Sequence, residues 1–303
     1  MTPKTPPEMG ADRRRVGYLG PSGTFSEEAL LASAASGVQP VPLASIYETV
    51  TALRQGDVEW SIVPIENSLE GSINVTLDLL AEDAADLEIV GEALLRVSHS
   101  LIAARRLELE EIETVITHPQ VPGQCAAFLR GELAHARILP ASSTAEAVRS
   151  VVRGGRAGEA SLGTLLAAKI YGGTVIREAV EDREDNETRF VWLARAGAEG
   201  EPAPLRAAAD VYKTSLVFWG PGAESPGWLV RCLDEFARRY INLTKIESRP
   251  RRGRLGRYMF FADLEGRLDD SAVVDAVAGL RSLCEEVRVL GSYRAALAPS
   301  AGD

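Results

Sequence analysis

The stretch WSIVPIEN, residues 60–67, is an apolar run of strand length that ends in a carboxylate and an amide. Before it, short apolar runs alternate with helical patterns, in the order VGYLG (16–20), SEEALLASAAS (26–36), VPLA (41–44) and SIYETVTALRQG (45–56). Strands that alternate with helices in this way predict a mostly parallel sheet covered by helices. The fold class is therefore predicted to be α/β.

The same alternation continues beyond this strand and predicts one α/β region that runs to about residue 195. A small, proline-containing stretch without periodicity follows at 196–210 and is predicted to be a linker. From residue 211 the pattern changes to strand, helix, strand, strand, helix, strand. This βαββαβ order is that of the ferredoxin-like unit, so a second domain is predicted there.

Composition narrows the possible partners and the compartment. The chain has 303 residues, 46% of them hydrophobic and 25% charged, which is typical of a globular protein of about two domains. A net charge of −10 argues against nucleic acid as a partner. Residues 1–15 lack the apolar segment of a secretory signal, and no run is long enough to span a membrane. We predict a cytoplasmic protein with a loose tail at 1–15 and no membrane partner.

Two turns are candidate anion-binding sites. Gly17, Gly20 and Gly23 are spaced three apart, which matches neither the dinucleotide-binding pattern nor a P-loop, so no nucleotide is predicted. A turn from strand to helix still offers free backbone amides and a positive dipole end to a small anion. Thr24 and Ser26 would add hydroxyl groups, or one of them would simply cap the helix. A similar turn is predicted at 141–147, where Ser143 and Glu146 have capping-box spacing, as do Ser45 and Glu48.

Other chemistry finds little support in the sequence. The three histidines, His99, His118 and His135, are too scattered to indicate a metal site, and each alone is more often structural. The three cysteines show no close pair, and Cys125 lies in no signature of a nucleophile. An arginine-rich stretch at 249–257 indicates a solvated hairpin or a contact with an acidic partner.

Three stretches together resemble the prephenate dehydratase family: GPSGTFSEEA (20–29), IVPIENSLEGSINVTLDLL (62–80) and DNETRFVWLAR (185–195). INLTKIESRP (241–250) is similar to the ligand-binding segment of that family's ACT domain, so the resemblance covers about residues 16–295. It implies a two-lobed catalytic domain like a periplasmic binding protein, followed by a ferredoxin-like ACT domain.

By this resemblance, the catalytic domain spans 16–195 and the ACT domain 211–295, with a tail at 296–303. Lobe one is expected at about 16–94 and 178–195, and lobe two at about 95–177. The active site is expected in the cleft between them, where open α/β sheets place their ligands. A single-activity member of the family is expected.

The resemblance implies that prephenate is converted to phenylpyruvate without a cofactor or a metal ion. Thr188 is expected to hydrogen-bond the leaving hydroxyl, Arg189 to grip a carboxylate, and Glu66 to supply a proton if burial raises its pKa. Thr117 stands where relatives have the serine of Ser-His-Pro, and Gln124 follows it as a network contact. The catalytic set expected from the resemblance is Thr188, Glu66, Arg189, Asn67, Ser68, Thr117 and Gln124. The expected substrate-binding set is Thr24, Phe25, Ser26, Ser143, Thr144 and Phe190, the last packing beneath the site.

The ACT resemblance implies L-phenylalanine as an allosteric inhibitor. The residues expected to bind it are Gly227, Leu229, Asn242, Leu243, Thr244, Glu247, Ser248 and Arg249. Trp228 replaces a small residue of relatives and either crowds that pocket or points away from it. A homodimer or homotetramer is expected. The alternatives left open are an arogenate dehydratase and a non-catalytic amino-acid-sensing or solute-binding protein.

Overall fold

The computed structural model describes residues 14–197, 203–206, 210–221, 225–251 and 256–296. The predicted tails at 1–15 and 296–303 lie outside these ranges except for Arg14, Arg15 and Ala296, and most of the predicted linker lies outside them as well. Arg14 and Arg15 belong to the first strand, so the predicted N-terminal tail was too long by these two residues.

The first lobe begins with an alternation of strands and helices, as predicted. Before the chain passes to the second lobe, the elements are β1 (Arg14–Leu19), α1 (Phe25–Ser33), β2 (Val38–Leu43), α2 (Ile46–Gln55), β3 (Trp60–Asn67), β4 (Gly71–Ser72), α3 (Asn74–Asp78), a π-helical turn (Leu79–Asp83) and β5 (Leu87–Arg96). The chain then leaves this sheet for a second one.

The second lobe has its own sheet of five strands. Its elements are β6 (Ser100–Ala103), a 3-10 turn (Leu109–Glu111), β7 (Thr114–Thr117), α4 (Val121–Gln124), α5 (Ala126–Glu132), β8 (Arg137–Pro140), α6 (Thr144–Gly154), β9 (Glu159–Gly163), α7 (Leu165–Tyr171) and β10 (Thr174–Arg177). The strand order is β10-β6-β9-β7-β8. The chain then returns to the first lobe as β11 (Glu187–Arg195).

The return of β11 completes the first sheet, whose order is β2-β1-β3-β11-β5 with β4 paired to β3. Strand β1 runs parallel to β2 and β3, whereas β11 is antiparallel to both β3 and β5. Two crossings of the chain therefore connect two separately built α/β lobes, and the predicted α/β class with two lobes is confirmed. The serine half of each predicted capping box is confirmed, since Ser45 Oγ accepts from the Glu48 amide and Ser143 Oγ from the Glu146 amide. The Glu48 carboxylate instead accepts from the Ala44 amide, and Glu146 pairs with Arg149.

A third sheet forms the C-terminal domain. Its elements are β12 (Tyr212–Trp219), α8 (Trp228–Ala237), β13 (Leu243–Pro250), β14 (Tyr258–Glu265), α9 (Ser271–Leu283) and β15 (Glu286–Arg294). The sheet is antiparallel with the order β13-β14-β12-β15, so the ferredoxin-like βαββαβ prediction is confirmed. The sulfur atoms of Cys232 and Cys284, distant in sequence, lie 3.8 Å apart as free thiols.

The C-terminal domain packs directly on the first lobe. One apolar cluster contains Ile89 and Leu193 of the first lobe together with Phe261 and Leu290 of the C-terminal domain, all of them buried. The predicted linker is also held in part: Leu205 pairs with Ala34, and its side chain contacts Gly91. Because packing removes apolar surface of both units from water, the contact stabilises each unit against the other.

Candidate active site in the cleft between the lobes

A cavity of about 440 Å³ lies between the two lobes and is lined by residues of both. The first lobe supplies the turn from β1 to α1 and the ends of β3 and β11, and the second lobe supplies the segment around α4 and the start of α6. The predicted site residues that line it are Thr24, Phe25, Ser26, Asn67, Gln124, Ser143, Thr144 and Thr188. Eight residues scattered through the sequence thus lie around one cavity.

Asn67 and Thr188 form the polar centre of this cleft. They are opposite each other on the antiparallel strands β3 and β11, and Asn67 Nδ2 donates to Thr188 Oγ1 at 2.9 Å. The orientation of the amide follows from its other side, because Asn67 Oδ1 accepts from the backbone amides of Leu69 and Glu70, both at 2.9 Å. Since Oγ1 of Thr188 is the acceptor of the Asn67 bond, its own proton is free to be donated elsewhere.

A second polar group surrounds Gln124 on the opposite lobe. His99 Nε2 lies 2.9 Å from Gln124 Oε1, Asn186 Nδ2 donates to that oxygen at 3.4 Å, and Gln124 Nε2 approaches Glu70 Oε1 at 3.5 Å. Asn186 Oδ1 in turn accepts from Asn67 Nδ2 at 2.9 Å. A continuous chain of side chains therefore connects His99 in lobe two to Thr188 in lobe one.

His99 and Asn186 were not predicted as site residues. His99 is buried, packs edge-on against Phe25, and its Nδ1 has no hydrogen-bond partner in the structure. Burial lowers the pKa of His99, and the bond to Gln124 and the nearby Glu181 offset this only in part. Because the amide oxygen of Gln124 can only accept, Nε2 carries the proton and the neutral ring leaves Nδ1 as a bare acceptor. Asn186 could have been found from its place two residues before Thr188.

Two helices point their first amides at the cleft. Thr24 precedes α1, but its hydroxyl donates to Leu19 O at 2.9 Å and does not cap the helix. Gly23 N donates to the Glu27 carboxylate at 2.5 Å. The amides of Phe25 and Ser26 have no intrahelical partner, because these are the first two residues of α1. The start of α6 lies across the cleft, with Ser143 as its cap. Helix starts of this kind bind carboxylates.

Among the described residues that line the cleft there is no lysine or arginine. The titratable groups there are His99, His118 and Glu70, and Glu70 lies at the rim, where Gln120 Nε2 donates to it at 3.2 Å. An anion in this cleft would be held by amides and hydroxyl groups. The described residues also contain no group of side chains able to hold a metal ion.

The prediction that Arg189 grips a carboxylate of the substrate is not supported by its position. Its side chain leaves β11 on the face opposite to Thr188, because successive residues of a strand point to opposite faces. Its guanidinium donates to Glu92 Oε2 at 2.7 Å, Asp263 Oδ2 at 2.5 Å and Tyr293 Oη at 2.8 Å. Burial opposes the charge of Arg189, but Tyr293, Asp263 and Glu92 outweigh it and raise the pKa. The side chain is therefore occupied at the contact with the C-terminal domain.

Glu66 and Ser68 also point away from the cavity. Glu66 lies next to Arg189 and forms an ion pair of 3.0 Å with Lys245 Nζ of the C-terminal domain, so a role as proton source in the cleft is not supported. Ser68 Oγ accepts from the Glu187 amide at 3.0 Å and fixes the segment that leads into β11. Of Glu66 and Asn67 at the end of β3 and Ser68 just after it, only Asn67 lines the cleft.

Thr117 and Phe190 lie beneath the surface of the cleft. Thr117 Oγ1 donates to Leu162 O at 3.0 Å, which ties β7 to β9 inside the second lobe, so its hydroxyl is not available to a ligand. Phe190 is buried in the apolar cluster of the first lobe with Tyr18 and Ile62. Neither residue is among those that line the cavity.

A second cavity, of about 550 Å³, lies in the C-terminal domain at the start of α8. Gly227, Trp228 and Leu229 line it, together with Arg257, Tyr258 and Phe260. Most of the indole of Trp228 is buried in the domain core, where Nε1 donates to Leu283 O at 2.6 Å and the ring packs on Phe218 and Phe260.

The predicted ligand residues on β13 lie outside that second cavity. These are Asn242, just before the strand, and Leu243, Thr244, Glu247, Ser248 and Arg249 on it. Glu247 accepts from Ser72 Oγ at 3.1 Å, and Arg249 forms a bidentate pair with Asp78, so both contact the first lobe. Thr244 and Ser248 are exposed on the other face of the strand. Strand alternation therefore divides the predicted set between two surfaces.

Comparison with known proteins identifies the family. The family model for prephenate dehydratase matches residues 16–198. The chain belongs to the prephenate dehydratase family. A prephenate dehydratase of Mycobacterium sp. (strain JLS) is 40% identical over 290 residues, which cover 92% of this chain and 88% of the relative.

Solved structures of prephenate dehydratases include close matches to this chain. The enzyme from Arthrobacter aurescens, solved in complex with L-Phe, has a TM-score of 0.81 and 35% identity, and the match covers 95% of this chain and 94% of the other. A structure described as GqqA, a novel type of quorum quenching acylase, also has a TM-score of 0.81, at 29% identity over 94% of this chain and 99% of the other.

None of the helices in the described part of the chain combines the length and the apolar character that a membrane span requires.

Proposed function

We propose that this chain converts prephenate to phenylpyruvate in the cleft between its lobes. The observation that carries the proposal is the hydroxyl of Thr188, which lines the cleft and accepts a hydrogen bond from Asn67 at 2.9 Å. This arrangement leaves the proton of Thr188 free for a leaving group, and the amide of Asn67 polarises the hydroxyl that donates it.

The reaction requires the protein to orient prephenate and to assist one departing group. Breaking the bond to the ring carboxylate releases carbon dioxide, and its electron pair moves through the ring and expels the hydroxyl, which leaves as water once protonated. Hydroxide is a poor leaving group, so a donor that strengthens its hydrogen bond as charge develops lowers the barrier. Such a donor contributes about 2.7 to 4 kcal/mol in comparable sites. We assign this donor role to Thr188.

Orientation of the two carboxylates is assigned to the helix starts on either side of the cleft. The free amides at Phe25 and Ser26 and the start of α6 at Ser143 and Thr144 face the same cavity. Gln124 presents its amide nitrogen, because its oxygen is taken by His99 and Asn186. A clamp of amides on both lobes would favour the bound, closed form of the cleft without fixed cationic side chains.

We also propose that L-phenylalanine inhibits the chain through the C-terminal domain, with residues 16–195 as the catalytic unit and 211–295 as the ACT unit. The L-Phe complex of the Arthrobacter aurescens relative supports this, as does the cavity of about 550 Å³ beside Gly227 and Leu229, which stays open although Trp228 also lines it, because most of the indole is buried. Strand β13 lies at the edge of its sheet, and Ile246 on it is 47% exposed. An exposed edge supports pairing with a second copy, so a homodimer or homotetramer in the cytoplasm is proposed.

Arogenate is the second candidate substrate, and Glu70 is the feature that favours it. Arogenate carries an ammonium group where prephenate has a keto group, and the Glu70 carboxylate at the cleft rim would attract that cation. An acylase reaction finds less support, because a nucleophile needs a neighbouring base and Thr188 Oγ1 instead accepts from the amide donor Asn67.

The test supplies purified protein with prephenate and, separately, with arogenate, and follows the ultraviolet absorbance of phenylpyruvate and the appearance of phenylalanine. Phenylpyruvate formation from prephenate well above the spontaneous rate is expected, with L-phenylalanine lowering that rate. Turnover of arogenate alone would establish the second candidate. A protein that binds ligands without converting either substrate would instead be the sensing or solute-binding module.

A further inference from the structure

The two strands that carry Thr188 and Asn67 also carry a pair of charged residues on their opposite face. Arg189 follows Thr188 on β11, Glu66 precedes Asn67 on β3, and the two charged residues are opposite each other in the register. Their nearest charged atoms are 3.6 Å apart. One face of this ladder thus meets the catalytic cleft and the other meets the C-terminal domain.

Arg189 is the centre of a buried charge cluster that crosses the boundary between the first lobe and the C-terminal domain. The first lobe contributes Arg189 and Glu92, and the C-terminal domain contributes Lys213, Asp263 and Tyr293. Arg189 is 8% exposed and Glu92 and Asp263 are each 5% exposed. Two cations and two carboxylates balance each other within this cluster.

Every strong acceptor of the cluster is occupied. Asp263 Oδ1 accepts from Ser215 Oγ at 2.5 Å, and its Oδ2 accepts from Arg189. Glu92 Oε1 accepts from Lys213 Nζ at 2.9 Å, and its Oε2 accepts from Arg189. A buried charge that loses its partner is strongly disfavoured, so these groups hold their geometry only while both units stay in register.

A second connection reaches the same ladder from β13. Lys245 Nζ contacts Glu66 Oε1 at 3.0 Å and Ser72 Oγ at 2.9 Å. Glu247, on the same face of β13, accepts a hydrogen bond from the same Ser72 hydroxyl. Strand β13, whose residues were expected from the resemblance to bind phenylalanine, is therefore tied to Glu66, the neighbour of Asn67. Both connections converge on the hydrogen bond between Asn67 and Thr188.

We propose that Arg189 is a positioning residue for the reaction, which holds Thr188 at its place in the cleft because Asp263 of the C-terminal domain holds Arg189. This inference deepens the proposed function and rests on it. The C-terminal domain then completes the catalytic lobe as well as regulating it. A small shift of that domain would displace β11, and a misplacement of about 1 Å at a catalytic group costs on the order of 100-fold in rate.

The physical consequence is a specific kinetic signature. Arg189 does not touch the cavity, so its loss leaves the amides that hold the substrate in place, and KM for prephenate stays within about threefold of the parent value. The alignment of Thr188 with the leaving hydroxyl is lost, so kcat falls by roughly 10- to 100-fold. The response of kcat to L-phenylalanine weakens together with it, because the path between the units is interrupted.

The experiment uses the full chain with Arg189→Met combined with Asp263→Leu. The double variant removes one cation and one anion and leaves Glu92 paired with Lys213, so the interior stays neutral and replacement by apolar groups is tolerated. Single variants separate charge from geometry, because Arg189→Lys keeps the charge without the three-point geometry and Asp263→Asn keeps the shape without the charge. The matched control is Arg288→Met, since Arg288 also crosses the boundary but donates to the carbonyls of Leu80 and Ala81.

A folded double variant with kcat lowered at least about tenfold and KM nearly unchanged supports the inference, provided that Arg288→Met keeps the parent kcat. Circular dichroism and thermal unfolding establish that both proteins are folded. A folded double variant with the parent kcat overturns it, as does an equal loss in the Arg288→Met control. A parent protein that forms no phenylpyruvate would refute the proposed function. An active parent whose kcat is unchanged in the double variant would refute only the positioning role of Arg189.

Discussion

Thr188 and Asn67 face each other across β11 and β3, with 2.9 Å between the threonine Oγ1 and the amide Nδ2 that donates to it. The amide is itself fixed by the backbone amides of Leu69 and Glu70 on its oxygen side. A donor group held this firmly needs no reorganisation when the leaving hydroxyl acquires charge. The pair is therefore the part of the cleft where substitutions should affect kcat most directly.

Replacement of Thr188 by alanine is expected to lower kcat for prephenate by about 100-fold or more, since one donor to a developing charge is lost. Thr188→Ser keeps the hydroxyl and should stay within about tenfold of the parent. Steady-state kinetics with phenylpyruvate detection measures both. A loss of less than about tenfold in Thr188→Ala would show that another group assists the leaving hydroxyl.

The period of two along a strand explains which site residues could be read from the sequence. The motif Thr188-Arg189-Phe190 and the motif Glu66-Asn67-Ser68 each place neighbouring residues in a strand or at its end, and only one residue of each motif lines the cleft. A resemblance assigns whole motifs, whereas alternation sends Arg189 and Glu66 to the opposite face. Alternation also places Phe190 on the same face as Thr188, further along β11, where its ring packs in the core of the first lobe. The register irregularity opposite it is an extra residue, Ile65, on β3.

The partners of Arg189 could not be predicted in this way. Glu92, Asp263 and Tyr293 lie on three other strands, and only the packing of the C-terminal sheet on β5 brings them together. Nor does any local pattern signal His99, whose role depends on Gln124 in another element. By contrast, the order of strands and helices depends on local periodicity, so the α/β class and the βαββαβ domain followed from the sequence pattern. The division into two lobes came only from the family resemblance.

Glu70→Gln is expected to improve the use of prephenate. The Glu70 carboxylate lies at the cleft rim, held by Gln120 and near Gln124, and it repels a substrate with two negative charges. Removing this charge should lower KM for prephenate by about two- to fivefold at low ionic strength, and the effect should shrink as salt is added. Arogenate, with its ammonium group, should lose affinity in the same variant.

Kinetics with both substrates at two salt concentrations tests this prediction. Glu110→Gln, an exposed carboxylate of the 3-10 turn in lobe two outside the cavity lining, is the matched control for a change of one charge unit. Equal shifts of KM in both variants would mean that net charge, and not the position of Glu70, is responsible.

His99 should make the folded protein less stable in acid. Burial lowers the pKa of His99 in the folded state, whereas the pKa of histidine in the unfolded chain is about 6.5. Between these two values the unfolded chain binds more protons, so the contribution of His99 is complete above about pH 6.5 and is lost as the pH falls below it. Protonation would also place a proton on Nδ1, which has no acceptor.

The free energy of unfolding, measured by urea titration at about pH 7.5 and pH 5.5, should therefore decrease less in His99→Gln than in the parent. The matched control is His135→Gln, the same change of residue type at an exposed position. Identical pH dependence in the parent and in His99→Gln would contradict the assignment of a buried neutral imidazole.

Trp228→Ala is expected to destabilise the C-terminal domain by about 3 to 5 kcal/mol, because a large buried ring leaves a cavity that the surrounding core cannot fill completely. The indole is 3% exposed, packs on Phe218 and Phe260, and donates to Leu283 O. Trp228→Phe keeps much of this packing and loses the hydrogen bond, so its cost should be smaller, at about 1 to 3 kcal/mol. Urea unfolding followed by circular dichroism measures both values. A cost below about 1 kcal/mol for Trp228→Ala would show that the indole mainly fills space in the ligand cavity and contributes little to the core, and L-phenylalanine would then be expected to bind the variant more tightly than the parent.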